Sequence, residues 1–349
     1  MAFTKALLLI LILSNSLVMA RTKLLEFSTR QNVHNLKLDS LTGVTFYLKG
    51  KNTLAYSAKN RANVVIEKKS NSEFDVIKVN DDLYIISVKE NHFKNFSFFQ
   101  DSEIYFYNIK SNELNFISKG SYPKFHKKSG YISFTKEDKD KLFIEVINTR
   151  NYLDRFQIPL KTRDLLYRPQ TVIFDDSLIY FTDRNKDFYE YVSIYNNRSK
   201  KQFLLHEFDT TNSKLSLTSD NEKIYILETA ISNKSYVQLS SLEKGSIDYT
   251  KKTPLFNTTY GPAYNLQHNS GELNFILTLK SKNSNLINQR ELVSFDLKEK
   301  KLFKRTDLNY VSTYTIQNEK VLIPYKDKIY LLTNKEGKYS INEEIKSQL

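Results

Sequence analysis

From residue 74 onward, apolar and polar positions alternate in short runs separated by polar turns. Residues 74–79, 83–88, 104–109 and 114–118 are such runs, rich in β-branched and aromatic side chains. A period near two in residues of that kind predicts strands rather than helices. Together they make one small antiparallel sheet, with 74–79 innermost and 114–118 outermost.

The unit recurs. Its clearest copy is LSLTSDNEKIYILET, residues 215–229: a strand, the turn Ser219-Asp220-Asn221-Glu222-Lys223, and a second strand. Equivalent turns are marked by Asp81, Ser129, Asp175, Asp220, Ser270 and Asn318, at steps of 45 to 50 residues, and a shorter copy, VTFYLKGKNTLAYSA from Val44, precedes them. A period of about 40 to 50 residues holding several short strands is that of a propeller blade, a twisted sheet that buries its faces only against neighbouring blades. The expected fold class is all-β, a β-propeller of antiparallel strands, with seven blades if the first copy is a blade and six if it is not. Residues 22–41, which contain LLEFS and VHNLKL, are expected to add a strand to the last blade beside residues 330–333 and so close the ring. With only 8 Gly and 6 Pro, placed singly at turns, there is no linker, and residues 21–349 read as a single propeller domain.

Residues 1–20 read as a signal peptide: Lys5, the apolar run 6–13, then Val18-Met19-Ala20 with small residues where a signal peptidase reads. The run is shorter than the roughly 18 to 20 residues of a membrane-spanning helix. Cleavage therefore leaves no transmembrane segment and makes the chain periplasmic or secreted. The absence of cysteine excludes both a lipid-anchored lipoprotein and structural disulfides. A formal charge of +13 is interspersed with acids, as in SKKQF, EKKLFKR and KEDKDK. That patterning suits a solvated surface that keeps strand edges from pairing, and it also permits short-range attraction to an anionic envelope surface. Nucleic acid is not an expected partner of an exported protein.

Motifs for chemistry are sparse. There is no G-x-S-x-G elbow and no Gly-rich phosphate loop. The five histidines, His34, His92, His126, His206 and His268, lack the H-x-H and H-x-x-x-H spacings of a local zinc site. His126 and His268 fall on inner strands, either as ordinary polar strand residues or facing the central channel. Asp183-Arg184-Asn185-Lys186-Asp187 fits the opening of a calcium loop, but Phe188 stands where that loop needs Gly, and a polar hairpin is the simpler reading. No catalytic residue, metal or cofactor is assigned. The long connection at residues 89–102, KENHFKNFSFFQDS, presents Phe93 and Phe96 as candidates for contact with a partner.

SDNEKIYILE and FDDSLIYFTDR, with EIYFYNIKSNELNFIS as the continuation, resemble the S-P-D-G-K-x-I-x-F repeat of bacterial TolB-type, WD40-like propellers, over most of residues 74–330. The resemblance implies a periplasmic propeller used as a docking platform for other envelope proteins. On that reading the chain is a non-catalytic protein-binding scaffold rather than an enzyme. Its binding face is the one carrying the connections between blades, where Tyr122, His126, Arg163, Arg168, Tyr260 and Tyr264 would gather with Phe93 and Phe96 nearby. Tyr and Arg are enriched where interfaces derive their energy. The alternative is a propeller enzyme, or a binder of a small ligand or carbohydrate, with its site where the inner strands converge on the channel. A channel mouth lined with acids and histidines favours this alternative, and a flat aromatic face favours the scaffold.

N-terminal sequencing of the protein extracted from its native source should recover Arg21 as the first residue; recovery of Met1 would overturn the export reading.

Overall fold

The computed structural model describes residues 37–39, 44–49, 52–58, 61–69, 72–90, 102–139, 141–162, 164, 167–175, 177–187, 189–207, 213–230, 236–259, 261–279, 289–305, 311, 314–317, 320–325, 328–333 and 339–340. Within them the chain is a succession of antiparallel sheets, each wound from an inner to an outer strand. Blade one contains β1 (Lys37–Asp39), β2 (Val44–Lys49), β3 (Thr53–Ala58) and β4 (Arg61–Glu67). Blade two contains β5 (Ser72–Lys78), β6 (Leu83–Glu90), β7 (Ser102–Asn108) and the first half of β8 (Glu113–His126). The second half of β8 opens blade three, followed by β9 (Tyr131–Asp138), β10 (Lys141–Asn148) and β11 (Arg155–Pro159). Blade four is β12 (Thr171–Ile173), β13 (Leu178–Arg184), β14 (Glu190–Asn196) and β15 (Lys201–Glu207). Blade five is β16 (Ser213–Ser219), β17 (Lys223–Ala230), β18 (Tyr236–Glu243) and β19 (Thr253–Thr258). Blade six is β20 (Ala263–Asn269), β21 (Glu272–Leu279), β22 (Gln289–Asp296) and β23 (Lys301–Lys304). Blade seven is β24 (Thr315–Gln317), β25 (Lys320–Tyr325) and β26 (Lys328–Thr333), after which β27 (Tyr339–Ser340) pairs back with β23 on the outside of blade six.

The seven-blade reading of the repeat therefore holds, with two corrections. The shorter copy from Val44 is the β2–β3 hairpin, the second and third strands of blade one, because the inner strand β1 precedes it and pairs Leu38 with Thr45. The closing strand expected from residues 22–41 is described only at β1, which belongs to blade one and not to the last blade; residues 22–36 lie outside the described residues.

What holds the blades together is visible in the second strands, where successive side chains serve opposite neighbours. Ile224 and Ile226 of β17 pack with Val172, Tyr180 and Ile194 of blade four, while Tyr225 and Leu227 pack with Phe275, Val293 and Phe295 of blade six. The same division places Ile179 and Phe181 of β13 against Ile144, Val146 and Ile158 of blade three, and Tyr180 on the other side. Both faces being buried, these strands read as continuous apolar runs. Each such side chain removed from water is worth about 1.5–3 kcal/mol.

Blades two and three share a strand. β8 runs unbroken from the outer edge of one to the inner edge of the other, and its register slips between Ser121 and Lys124, where Pro123 withdraws a donor and Tyr122 takes φ of 57°. Gly120, just before this crossing, has no room for a side chain: a Cβ there would lie 2.8 Å from the carbonyl oxygen of Thr135 and against the Phe134 ring. Gly120→Ala should therefore destabilise the fold by about 1–3 kcal/mol. A thermal melt unchanged by this substitution would contradict the packing at the crossing.

Candidate functional site at the channel end

The inner strands β8, β12, β16 and β20 lie beside one another in that order. Their first turns meet at one end of the axis, and there the chemistry collects. His126 is the last residue of β8 and Lys128 sits in its turn; Asp220 follows β16; His268 is the penultimate residue of β20. Blades three and five are not neighbours, yet the Lys128 ammonium and the Asp220 carboxylate lie within electrostatic reach of each other, and His268 feels both. Blades five and six thus set an acid and an imidazole on one tyrosine, and a lysine of blade three lies within electrostatic reach of both.

Local bonding fixes each group. The Tyr225 hydroxyl donates to Asp220 Oδ2 at 2.5 Å, and Asp220 Oδ1 accepts the backbone N–H groups of Glu222 at 2.8 Å and Lys223 at 2.7 Å. This is the Asx turn that made Asp220 a repeat marker. The half-buried His268 ring stacks on Tyr225 with centroids 5.9 Å apart, and its backbone N–H donates to Thr218 Oγ1 at 3.2 Å. Burial favours the neutral form of Asp220, but the Tyr225 hydroxyl, the two amides and His268 outweigh it and hold the carboxyl below its ordinary range. Burial likewise pushes the Tyr225 hydroxyl up, with Asp220 adding to the effect. His268 is held below the ordinary imidazole range by burial, a pull that Asp220 opposes and Lys128 reinforces. At neutral pH the site therefore presents an ionised acid and a neutral imidazole, with Lys128 nearby, its amine lowered by burial against the pull of Asp220. Such a set can accept a proton and can hold a ligand bearing both hydrogen-bond donors and acceptors.

Further along the same wall a buried strut joins blades three and four. Ser133 Oγ lies 2.8 Å from His126 Nε2 and 2.7 Å from Thr171 Oγ1, and the Lys124 ammonium donates to the Thr171 carbonyl at 2.7 Å. The Ser133–His126 contact has the form of a nucleophile and its base, but Ser133 is only 2% exposed, and its hydroxyl is spent on the strut. Burial, reinforced by Lys124, keeps the His126 imidazole neutral, and burial lowers Lys124 to about 8.

Of the residues expected to form a binding face, Tyr122 and Arg168 do come together: the Arg168 guanidinium lies 4.3 Å from the centre of the Tyr122 ring, and Tyr122 is exposed. His126 is four residues further along β8 than Tyr122, beyond the register slip and next to the turn. Tyr264 is half-buried near the start of β20. Arg163, Tyr260, Phe93 and Phe96 lie outside the described residues. The calcium-like spacing folds for another purpose: the buried Asp183 carboxylate accepts the N–H groups of Lys161 at 2.7 Å and Thr162 at 3.2 Å and the Tyr191 hydroxyl at 2.5 Å, which pins the connection from blade three to blade four. Lys128, Asp220 and Tyr225 were not among the expected site residues. Their one sequence signal was that the turn markers share a blade end.

No family model matches the chain, and no curated protein does. Solved structures do. A prolyl endopeptidase, 12% identical, matches with a TM-score of 0.61 over 90% of this chain and 50% of its own, so the chain spans half that enzyme's length. The propeller domain of the Trilobed protease from Pyrococcus furiosus, 15% identical, matches with a TM-score of 0.52 over 77% of this chain and 84% of its own. An oligogalacturonate lyase in complex with manganese, 9% identical, matches with a TM-score of 0.55 over 86% of this chain and 96% of its own. At such identities the likeness establishes the propeller. Peptidases predominate among these neighbours. That company corrects the expectation of a non-catalytic docking scaffold, and with it the expectation of a non-enzyme. The physical reason lies in the channel end, which gathers histidine, acid and lysine from separate blades where a scaffold would offer a flat aromatic face.

The strut makes a pH-dependent contribution whose sign follows from Lys124. Its pKa is about 8 in the fold and has an ordinary value of 10.5, so the unfolded chain binds more protons between those values and stability rises with pH across that window. The burden of the buried charge is full below about pH 8. Lys124→Met should lose this slope, which is worth about 2 kcal/mol between pH 7.5 and pH 10. Urea denaturation of both proteins at pH 7.5 and pH 10 checks it; parallel pH dependence would contradict the assignment.

Proposed function

We propose that this propeller serves peptide hydrolysis, and that the channel end bounded by Lys128, Asp220 and His268 is where it meets its substrate. The observation that carries the reading is the convergence of groups from blades three, five and six, with a neutral imidazole stacked on a tyrosine that is itself bonded to an ionised acid. A peptide backbone alternates donors and acceptors and fits such a set: Asp220 and neutral His268 accept, and Lys128 donates to a carbonyl. The predominance of peptidases among the structural neighbours supports the same substrate class. Because the chain lacks a G-x-S-x-G elbow and the Ser133 hydroxyl is buried, the propeller's part is to admit, select and orient the peptide. The signal-like residues 1–20 and the likeness of the turns to TolB-type repeats support work outside the cytoplasm by residues 21–349 as one domain.

Calorimetry with a panel of short unstructured peptides tests this. Binding in the micromolar range is expected, weakened about tenfold by either His268→Ala or Asp220→Asn, with circular dichroism unchanged. Absence of peptide binding, or binding indifferent to both substitutions, would defeat the proposal.

A further inference from the structure

A cleft of about 350 Å³ opens between blades five and six, beside the channel end. That is the lower end of the range for ligand pockets, about 300–1,000 Å³. Its apolar lining includes Phe295 and Tyr225, both buried, and Leu255 from β19. The hydroxyl-bearing Ser241 and Thr253, paired across β18 and β19, stand on the same side. The rim is charged, and most of its charge is already engaged. The Asp220 carboxylate holds Tyr225 and two amides, and Lys223 pairs with Glu243 at 3.1 Å. Lys300, exposed in the turn between β22 and β23, makes no ion pair among the described residues.

We propose that this cleft receives the C-terminal end of a peptide, with the last side chain apolar and the α-carboxylate on Lys300. The inference rests on the peptide-handling role given to the channel end, with which the cleft shares Asp220 and Tyr225. The apolar lining selects an aromatic or aliphatic side chain, the two hydroxyls meet the last amide, and the unengaged ammonium selects a carboxylate over a carboxamide. The cleft would thus make the propeller recognise peptide ends rather than internal segments.

The test uses N-acetylphenylalanine and its carboxamide as probes on the full chain, measured by calorimetry. The acid should bind about fivefold more tightly than the amide. Lys300→Gln, a substitution on the surface that leaves the core untouched, should erase that preference, and Leu255→Trp, which fills the cleft, should abolish binding of both. No binding of the acid, equal binding of the two, or a preference that survives Lys300→Gln would overturn the proposal. The two readings fail separately. Binding of peptides ending in a free phenylalanine that is weakened by Lys300→Gln but indifferent to His268→Ala keeps the cleft and defeats the channel-end role, whereas peptide binding lost on His268→Ala but indifferent to a C-terminal amide defeats the cleft alone.

Discussion

Blades one to six depend on their neighbours for a hydrophobic core. A four-stranded sheet has two faces, and here both are apolar: β17 divides its side chains between blades four and six, β13 between blades three and five. Ile85 and Phe106 of blade two face Ile132 and Phe134 of blade three in the same manner, and Phe46 and Tyr56 of blade one face Tyr84 and Tyr107 of blade two. A blade taken from between two neighbours would expose two such faces, so stability lies in the interfaces between blades rather than in any one sheet. This constraint also separates structure from function. With the faces committed to packing, only the turns and the ends of inner strands are left to vary, and the channel end is built from those.

The same constraint explains which parts of the fold were legible. Turn chemistry repeats because each blade must reverse direction at the same height, so Asp175 and Asp220 both bond the amides two and three residues on, and their spacing disclosed the blades. Blade one was read out of register because β1 has only three residues and leaves little pattern to see. The shared strand β8 was hidden by Pro123, which ordinarily ends a strand; here it sits at a register slip where the ladder has no use for its missing N–H.

The site was less legible than the fold. His126 and His268 could be placed on inner strands from the repeat alone, but nothing in the local sequence says that Lys128 and Asp220, separated by more than one blade, come near each other. That proximity comes from the inner strands β8, β12, β16 and β20 being set side by side, a property of the assembled blades. Residues 183–187 belong to the β13–β14 hairpin, the simpler reading of that spacing, and the buried Asp183 carboxylate is taken up by amides and a hydroxyl. Buried ion pairs such as Arg305 with Glu272 and Lys304 with Glu291 fix register in blade six in the same way; pairs of this kind serve specificity more reliably than stability.

Groups from blades three, five and six act on one another at the channel end. The titration of His268, followed by NMR through its ring signals, reports on both of the others at once. In the wild-type protein its pKa should lie below the ordinary histidine value; Lys128→Ala should raise it and Asp220→Asn should lower it further. A His268 titration unmoved by either substitution would contradict the account.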